Sequence, residues 1–273
     1  MKPRKLNLRI GSIGISLAVA VAGVAAIATS GHAQVYSPGK AATAVDPAEA
    51  AAYKAFEAEG DPDAKIQLGE SFEWRYPNSG YAKVIEGVLV TLYYEKKDWP
   101  KFYTAAHDAL TMDPNNLPVL TLVGWMTPRQ YKEGDPTMAA RLDEAEEYDK
   151  HAISLVAAMK RPKGVTDEQF RNAQDGLSWR AHSGLGITYF RRKNYDESAK
   201  ELQIAVKEEA PEVDPADLYI LGIDLQNLNR LAEAEDAFTK CVAIPDNNDL
   251  QGRCKQSADA AAKMAEPHTA QTP

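Results

Sequence analysis

Cysteine is scarce in this chain: two residues in 273, Cys241 and Cys254, both near the C-terminus. Two are too few for a disulfide scaffold, so the core has to come from apolar packing. There is no Gly-rich phosphate loop, no G-x-S-x-G, and no Cys, His and Asn set at a recognisable spacing. The usual sequence signatures of nucleotide-phosphate and acyl-transfer chemistry are therefore missing. Glu147 and His151 stand four apart as two metal ligands could, but no third or fourth ligand follows at a known spacing, so neither a metal nor any other cofactor is expected. A run of strands is missing too. The best β candidate, VLVTLYY at 88–94, continues a helical pattern from Tyr81 and runs into charged KKD, which favours helix. Basic residues are outnumbered 31 to 39, a formal charge of −8. Such a surface repels nucleic acid and anionic lipid, which excludes both as partners.

What is present begins with an export pattern. Lys2, Arg4, Lys5 and Arg9 precede an apolar stretch from Ile10 to Ala28, which thins toward Gly31 and Ala33, small residues three and one before a cut. Residues 1–33 are expected to be a signal peptide, cleaved so that Gln34 starts a periplasmic or secreted protein. No cysteine follows the apolar run to take a lipid, and no Arg-Arg pair marks export of a folded chain. The alternative is an uncut leader, since the stretch is near the lower limit for spanning a bilayer, and membrane contact is expected only in that case. Cleavage removes four basic and no acidic residues, taking the formal charge to −12.

Residues 34–46 show no apolar period and read as a flexible leader, and 266–273 read as a disordered tail. Between them nearly everything reads as short amphipathic helices. Leu185, Gly186, Tyr195, Leu202 and Ala205 recur 36 residues later as Leu221, Gly222, Leu231, Phe238 and Cys241. Pro211 and Pro245 close these two units. An earlier unit carries Leu89, Tyr93, Trp99, Ala106, Ala109 and Pro114. Another starts at Leu117 with Val123 and Gly124 and resumes, after an insertion around PRQYKEGDP, at Leu142, Ala145 and Ala152. The spacing predicts helical hairpins. Gly186 in one helix meets Ser198 or Ala199 in the next, letting the axes approach, while Tyr189 and Leu202 fill the space beside them. Asn194 is expected to turn the chain between the two. Asp61 with Pro62 starts a helix, Thr166 with Gln169 forms a capping box that opens a long helix over 167–192, and Asn248 or Asp249 starts a final one. Each hairpin leaves an apolar face that only a neighbouring hairpin covers.

At these residues the chain resembles the tetratricopeptide repeat (TPR) family, whose pattern is W-x2-L-G-x2-Y, then A-x3-F, then P. Leu221-Gly222, Leu225, the pair Ala234 and Phe238, and Pro245 match in the last unit; Leu185-Gly186, Tyr189, Leu202 and Pro211 match in the unit before it. There Ser198 replaces the expected Ala and His182 sits in the Trp place. In the unit at 81–114, Val90 takes the glycine place and Phe102 the small-residue place, so looser packing is expected. The resemblance implies an all-α superhelix, a right-handed solenoid over 47–265. Its units are expected at about 47–78, 81–114, 117–160, 166–211 and 215–245, with a capping helix at 250–265. A disulfide between Cys241 and Cys254 would tie cap to stack; two buried thiols are the alternative.

The family's first helices line a concave groove. Carried over, that places Thr91 and Tyr94 in the groove from the second unit and Thr121 and Trp125 from the third. Ser183, Ile187 and Phe190 follow from the fourth, with Arg180 and Arg191 nearby, then Tyr219, Ile223 and Gln226 from the fifth. The Lys, Asn and Arg set that holds a peptide terminus in some members is otherwise not present. The expectation is an exported, non-enzymatic scaffold holding a protein or peptide partner, another envelope protein, against this groove. The bland alternative for the aromatics is packing between units. Two other functions remain open at this stage: an enzyme or its sensor subunit with a site in the insertion at 128–142, and a membrane-tethered assembly factor.

Overall fold

The computed structural model describes residues 46–209, 213–245 and 248–265, the side chains of Asn248 and Asp249 excepted. The leader, the tail, Pro211 and the capping role of Asn248 or Asp249 lie outside the described residues. Among those described, every element is helix: α1 Pro47–Ala58, α2 Pro62–Arg75, α3 Ala82–Lys96, α4 Trp99–Met112, α5 Leu117–Arg129, α6 Met138–Ala157, α7 Asp167–Arg191, α8 Tyr195–Glu208, α9 Pro215–Asn227, α10 Leu231–Ala243 and α11 Asn248–Ala265. The stretch 88–94 is helical, inside α3. None of the described helices is long and apolar enough to cross a membrane. The chain divides between Val123 and Gly124, inside α5, into two compact units.

The N-terminal unit begins with two capped helices. Asp46 and Asp61 accept the amides of Ala48 and Ala64 at 2.9 and 2.8 Å, each with proline at the first helical position, where its missing N–H costs nothing. Gly69 of α2 lets α1 and α3 close in: a β-carbon there would stand 2.9 Å from Leu89, 3.2 Å from Phe56 and 3.3 Å from Ile85. Lys96 and Lys101 pair with Asp63 and Glu70 across α2. The looser hairpin expected of α3 and α4 is not found. Val90 and Phe102 are fully buried, and the Phe102 ring is walled by Tyr94, Trp99 and Tyr103, so aromatic packing fills the space a glycine would have removed. Glu86, also buried, is hydrogen-bonded to Glu73; burial raises the pKa of both, so the two share a proton.

The C-terminal unit runs from Gly124. Its long helix α7 opens with the capping box, Gln169 N donating to Thr166 Oγ1 at 3.2 Å and Thr166 N to Gln169 Oε1 at 3.0 Å. α7 and α8 cross at Gly186, where a β-carbon would meet Leu202 at 2.6 Å; α9 and α10 cross at Gly222, where it would meet the Phe238 ring at 2.5 Å. The Ser198 hydroxyl donates to the Gly186 carbonyl at 2.8 Å, so the small residues do meet at the crossing. A cluster of Ile187, Ala199, Leu202, Ile220, Leu221, Leu225, Ala234, Ala237 and Phe238 fills the interior, and Ala261 of α11 closes it. Cys241 and Cys254 form a disulfide, Cα to Cα 6.0 Å, joining α10 to α11.

Three hairpins turn in the same way. Lys97, Lys193 and Asn229 take positive φ (58°, 62° and 59°), and the next amide returns to the helix just ended: Asp98 to Tyr93, Asn194 to Tyr189, Arg230 to Leu225, at 3.0, 2.9 and 2.8 Å. That left-handed closure satisfies carbonyls the helix end would leave bare. It also corrects one expectation. The turn residue of the fourth unit is Lys193, whereas Asn194 stands at the N-cap of α8 without a side-chain capping bond.

Candidate functional site

The expected groove residues divide between the two units, and each unit is taken by itself. In the N-terminal unit Thr91 and Tyr94 are half-buried, the Tyr94 ring lying 6.3 Å from both Trp99 and Phe102. Thr121 is buried and donates its hydroxyl to the Leu117 carbonyl at 3.0 Å, so it serves its own helix.

In the C-terminal unit the remaining residues come together. Arg180, Ser183, Ile187 and Arg191 recur at helical spacing on α7 and form one stripe. Ser183 and Ile187 are fully buried and make its floor. Partly exposed above them are Trp125 near the end of α5, Arg180, Phe190 and Arg191 of α7, and Tyr219 and Ile223 of α9, with Phe190, Tyr219 and Ile223 also packed against the interior. Gln226, three residues past Ile223 on the same side of α9, donates its amide to Met264 Sδ of α11 at 3.3 Å.

Arg129, one turn past Trp125, organises this face. Its guanidinium lies 4.2 Å from the Trp125 ring, returns a hydrogen bond to the Trp125 carbonyl at 3.0 Å, and donates to Ser183 Oγ at 2.8 Å. It also binds Asp217 at 2.7 Å and Asp214 at 3.1 Å. Only 5% of its side chain is exposed, so the charge survives burial through these two carboxylates. Burial pushes Asp217 up to about 6 and Arg129 opposes it; at neutral pH Asp217 is mostly ionised. Asp214 has a second task, accepting Ala216 N at 2.9 Å to cap α9.

The other two arginines lie against rings. Arg180 Cζ is 5.1 Å from Trp179 and 5.9 Å from Trp125, and the two indoles meet edge-on at 6.3 Å. Arg191 donates Nε–H to the Pro128 carbonyl at 3.1 Å and sits 5.1 Å from the Tyr131 ring and 5.8 Å from Phe190. Burial lowers the Arg191 pKa, Tyr131 opposes that and Arg129 adds to it, but a guanidinium remains charged. Cations over aromatic faces are held there by the ring quadrupole.

Beneath this face lies a second feature. Asp149 of α6 is fully buried, and its carboxyl fits where Gly124 and Gly184 have no side chain: β-carbons there would come within 2.0 and 2.3 Å of its oxygens. Neither oxygen has a hydrogen-bond partner among the described residues. Burial raises its pKa well above the ordinary value against the pull of Arg129, which favours the neutral form. Asp224 of α9 is the third buried acid, raised to about 7 by burial, with Oδ2 2.5 Å from Ser198 Oγ. The Ser198 hydroxyl faces two acceptors, this carboxyl and the Gly186 carbonyl, and its bond to Asp224 works against the rise that burial causes.

His182, the residue in the Trp place, has Nδ1 2.7 Å from Glu201 Oε2, and Ser178 donates to Glu208 rather than to the imidazole. These side chains bridge α7 to α8 and do not align as a serine–histidine–acid relay. No three His, Cys, Asp or Glu among the described residues are placed to hold a metal ion.

Sequence reasoning missed Arg129, Tyr131, Trp179, Asp214, Asp217, Asp149 and Asp224 as parts of this interior. A partial signal existed. Arg129 follows Trp125 by four, and Ser183-Gly184-Leu185-Gly186 carries one glycine more than a single helix crossing needs.

No family model and no curated protein matches the chain. Among solved structures, a thermophilic TPR protein of Thermus thermophilus is similar over 77% of this chain and 98% of its own, at 16% identity and a TM-score of 0.48. A tetratricopeptide repeat protein from Parabacteroides merdae is similar over 80% and 92%, at 13% identity and a TM-score of 0.35. The chain itself shows TPR-like helical hairpins: small residues at the crossings, a left-handed turn between partner helices, and a last helix covering the open end.

Proposed function

We propose that the protein is a non-enzymatic scaffold that holds a segment of a protein partner on the face formed by the end of α5, the stripe of α7 and α9. One observation carries this reading: Trp125, Phe190 and Tyr219 are partly exposed beside Arg180 and Arg191, over a floor of buried Ser183 and Ile187. Large rings and guanidinium groups are the side chains that most often dominate binding energy at protein interfaces, because each covers much area at little cost in flexibility. Repeat hairpins suit such work, since their stacking presents an extended face that carries no chemistry of its own. The export pattern of residues 1–33 supports a cell-envelope location, and the partner is then another envelope protein.

A photo-crosslinking residue at Phe190 or Tyr219, with Lys240 on α10 as the off-face position, tests this in intact cells. The expected result is a discrete adduct from the two face positions and none from Lys240, lost on Trp125→Ala and reproduced with the purified captured protein. Adducts of equal yield from Lys240, or none from the face, would refute the assignment.

A further inference from the structure

The arginines of this face are not equivalent. Arg129 is neutralised by Asp214 and Asp217. Arg191 lies on the same face, and among the described residues no carboxylate pairs with it. Its contacts account for one of five N–H groups: Nε donates to the Pro128 carbonyl, while the rings of Tyr131 and Phe190 lie 5.1 and 5.8 Å from Cζ. The four Nη hydrogens donate to nothing among the described residues. A partly desolvated cation with uncommitted Nη hydrogens is costly unless an anion completes it.

Geometry narrows the anion. The Pro128 carbonyl takes the Nε–H and two rings lie nearby, which leaves the paired Nη groups as a planar fork. A carboxylate fits such a fork with two parallel hydrogen bonds. Rings continue on the same face, Phe190 beside Arg191 and Trp125 and Trp179 toward Arg180, so the anion's neighbours meet apolar surface. We infer that Arg191 binds a side-chain carboxylate within a peptide segment of the partner, the acidic residue being flanked by apolar ones that lie on the rings. This rests on the scaffold reading and names the chemistry of its partner.

The test uses fluorescein-labelled ten-residue peptides and anisotropy with the full chain. One peptide carries a central Glu between Leu and Phe residues; a second has Gln for Glu, and a third has Lys. Each is made with an amidated C-terminus, and the Glu peptide also with a free one. The Glu peptide is expected to bind at least about tenfold more tightly than the Gln peptide, as a charge-assisted pair implies, with the Lys peptide weaker still. Amidation should make no difference. Arg191→Gln should abolish the preference for Glu over Gln, Arg191→Lys should restore part of it, and Lys200→Gln, on the exposed side of α8, should leave it intact, each variant keeping its thermal midpoint. Equal binding of the Glu and Gln peptides, a preference that survives Arg191→Gln, or binding that requires a free terminus would overturn the inference. Face-specific crosslinks with no acid preference would leave the scaffold reading standing and remove this one.

Discussion

Replacing Asp224 with Asn should flatten one part of the pH dependence of the C-terminal unit. Asp224 is fully buried, and no charged group contributes to its environment beyond its own desolvation and the Ser198 hydroxyl. Its folded pKa, about 7, lies above the ordinary value of 3.8. The sign follows from proton counting. Between those two values the folded state keeps the proton and the unfolded state has lost it, so stability falls as pH rises from about 4 to about 7 and levels off above. The whole interval corresponds to about 4 kcal/mol, and the part between pH 5 and pH 8 to about 3 kcal/mol. Ionisation makes Asp224 the stronger of the two acceptors for the Ser198 hydroxyl, in competition with the Gly186 carbonyl at the α7–α8 crossing. Asn at 224 still accepts from Ser198 through its amide oxygen and never ionises. Urea melts at pH 5 and pH 8 measure the effect, with Trp74 and Trp99 of the other unit replaced by Phe so that Trp125 and Trp179 report. The variant should lose about 3 kcal/mol less than the parent over that range. Asp149, Asp217 and Glu209 titrate in both proteins and cancel in the comparison. Parallel profiles would mean that Asp224 is not protonated in the folded state.

The Asp149 site answers to steric change. Gly124→Ala would drive a methyl to within 2.0 Å of the carboxyl, and should destabilise the C-terminal unit by about 1–3 kcal/mol. Adding Asp149→Ala should recover most of that loss, and a thermal midpoint of the double variant no higher than that of Gly124→Ala would refute the contact. The disulfide closes a 13-residue separation, and its reduction should cost roughly 3 kcal/mol by the entropy of loop closure. A melt of the C-terminal unit indifferent to reductant would show that the bond does not form in solution.

Much of the architecture was legible because its causes are local. Pro62 after Asp61, and Thr166 with Gln169, mark helix starts that need only neighbouring backbone groups, and those helices begin there. The 36-residue recurrence of Leu-Gly placed Gly186 and Gly222 at helix crossings because only a missing side chain admits so close an approach. Where a position tolerates two solutions the reading slipped. The left-handed turn fell on Lys193, since the turn's return hydrogen bond fixes the residue five after Tyr189 and the chain simply accepts what stands before it. Phe102 packed tightly instead of loosening its hairpin, because three neighbouring rings surround it.

From residue types and spacing alone follow the helices, their pairing and the stripe of α7, since hydrogen-bond period and side-chain volume act within a few turns of chain. Which charges neutralise one another does not follow. Arg129 meets Asp217, 88 residues away, while Arg191 meets rings and a carbonyl, and Asp149 is buried between two glycines. Electrostatic pairing depends on distances of a few ångströms between helices far apart in sequence, and only tertiary packing sets those distances.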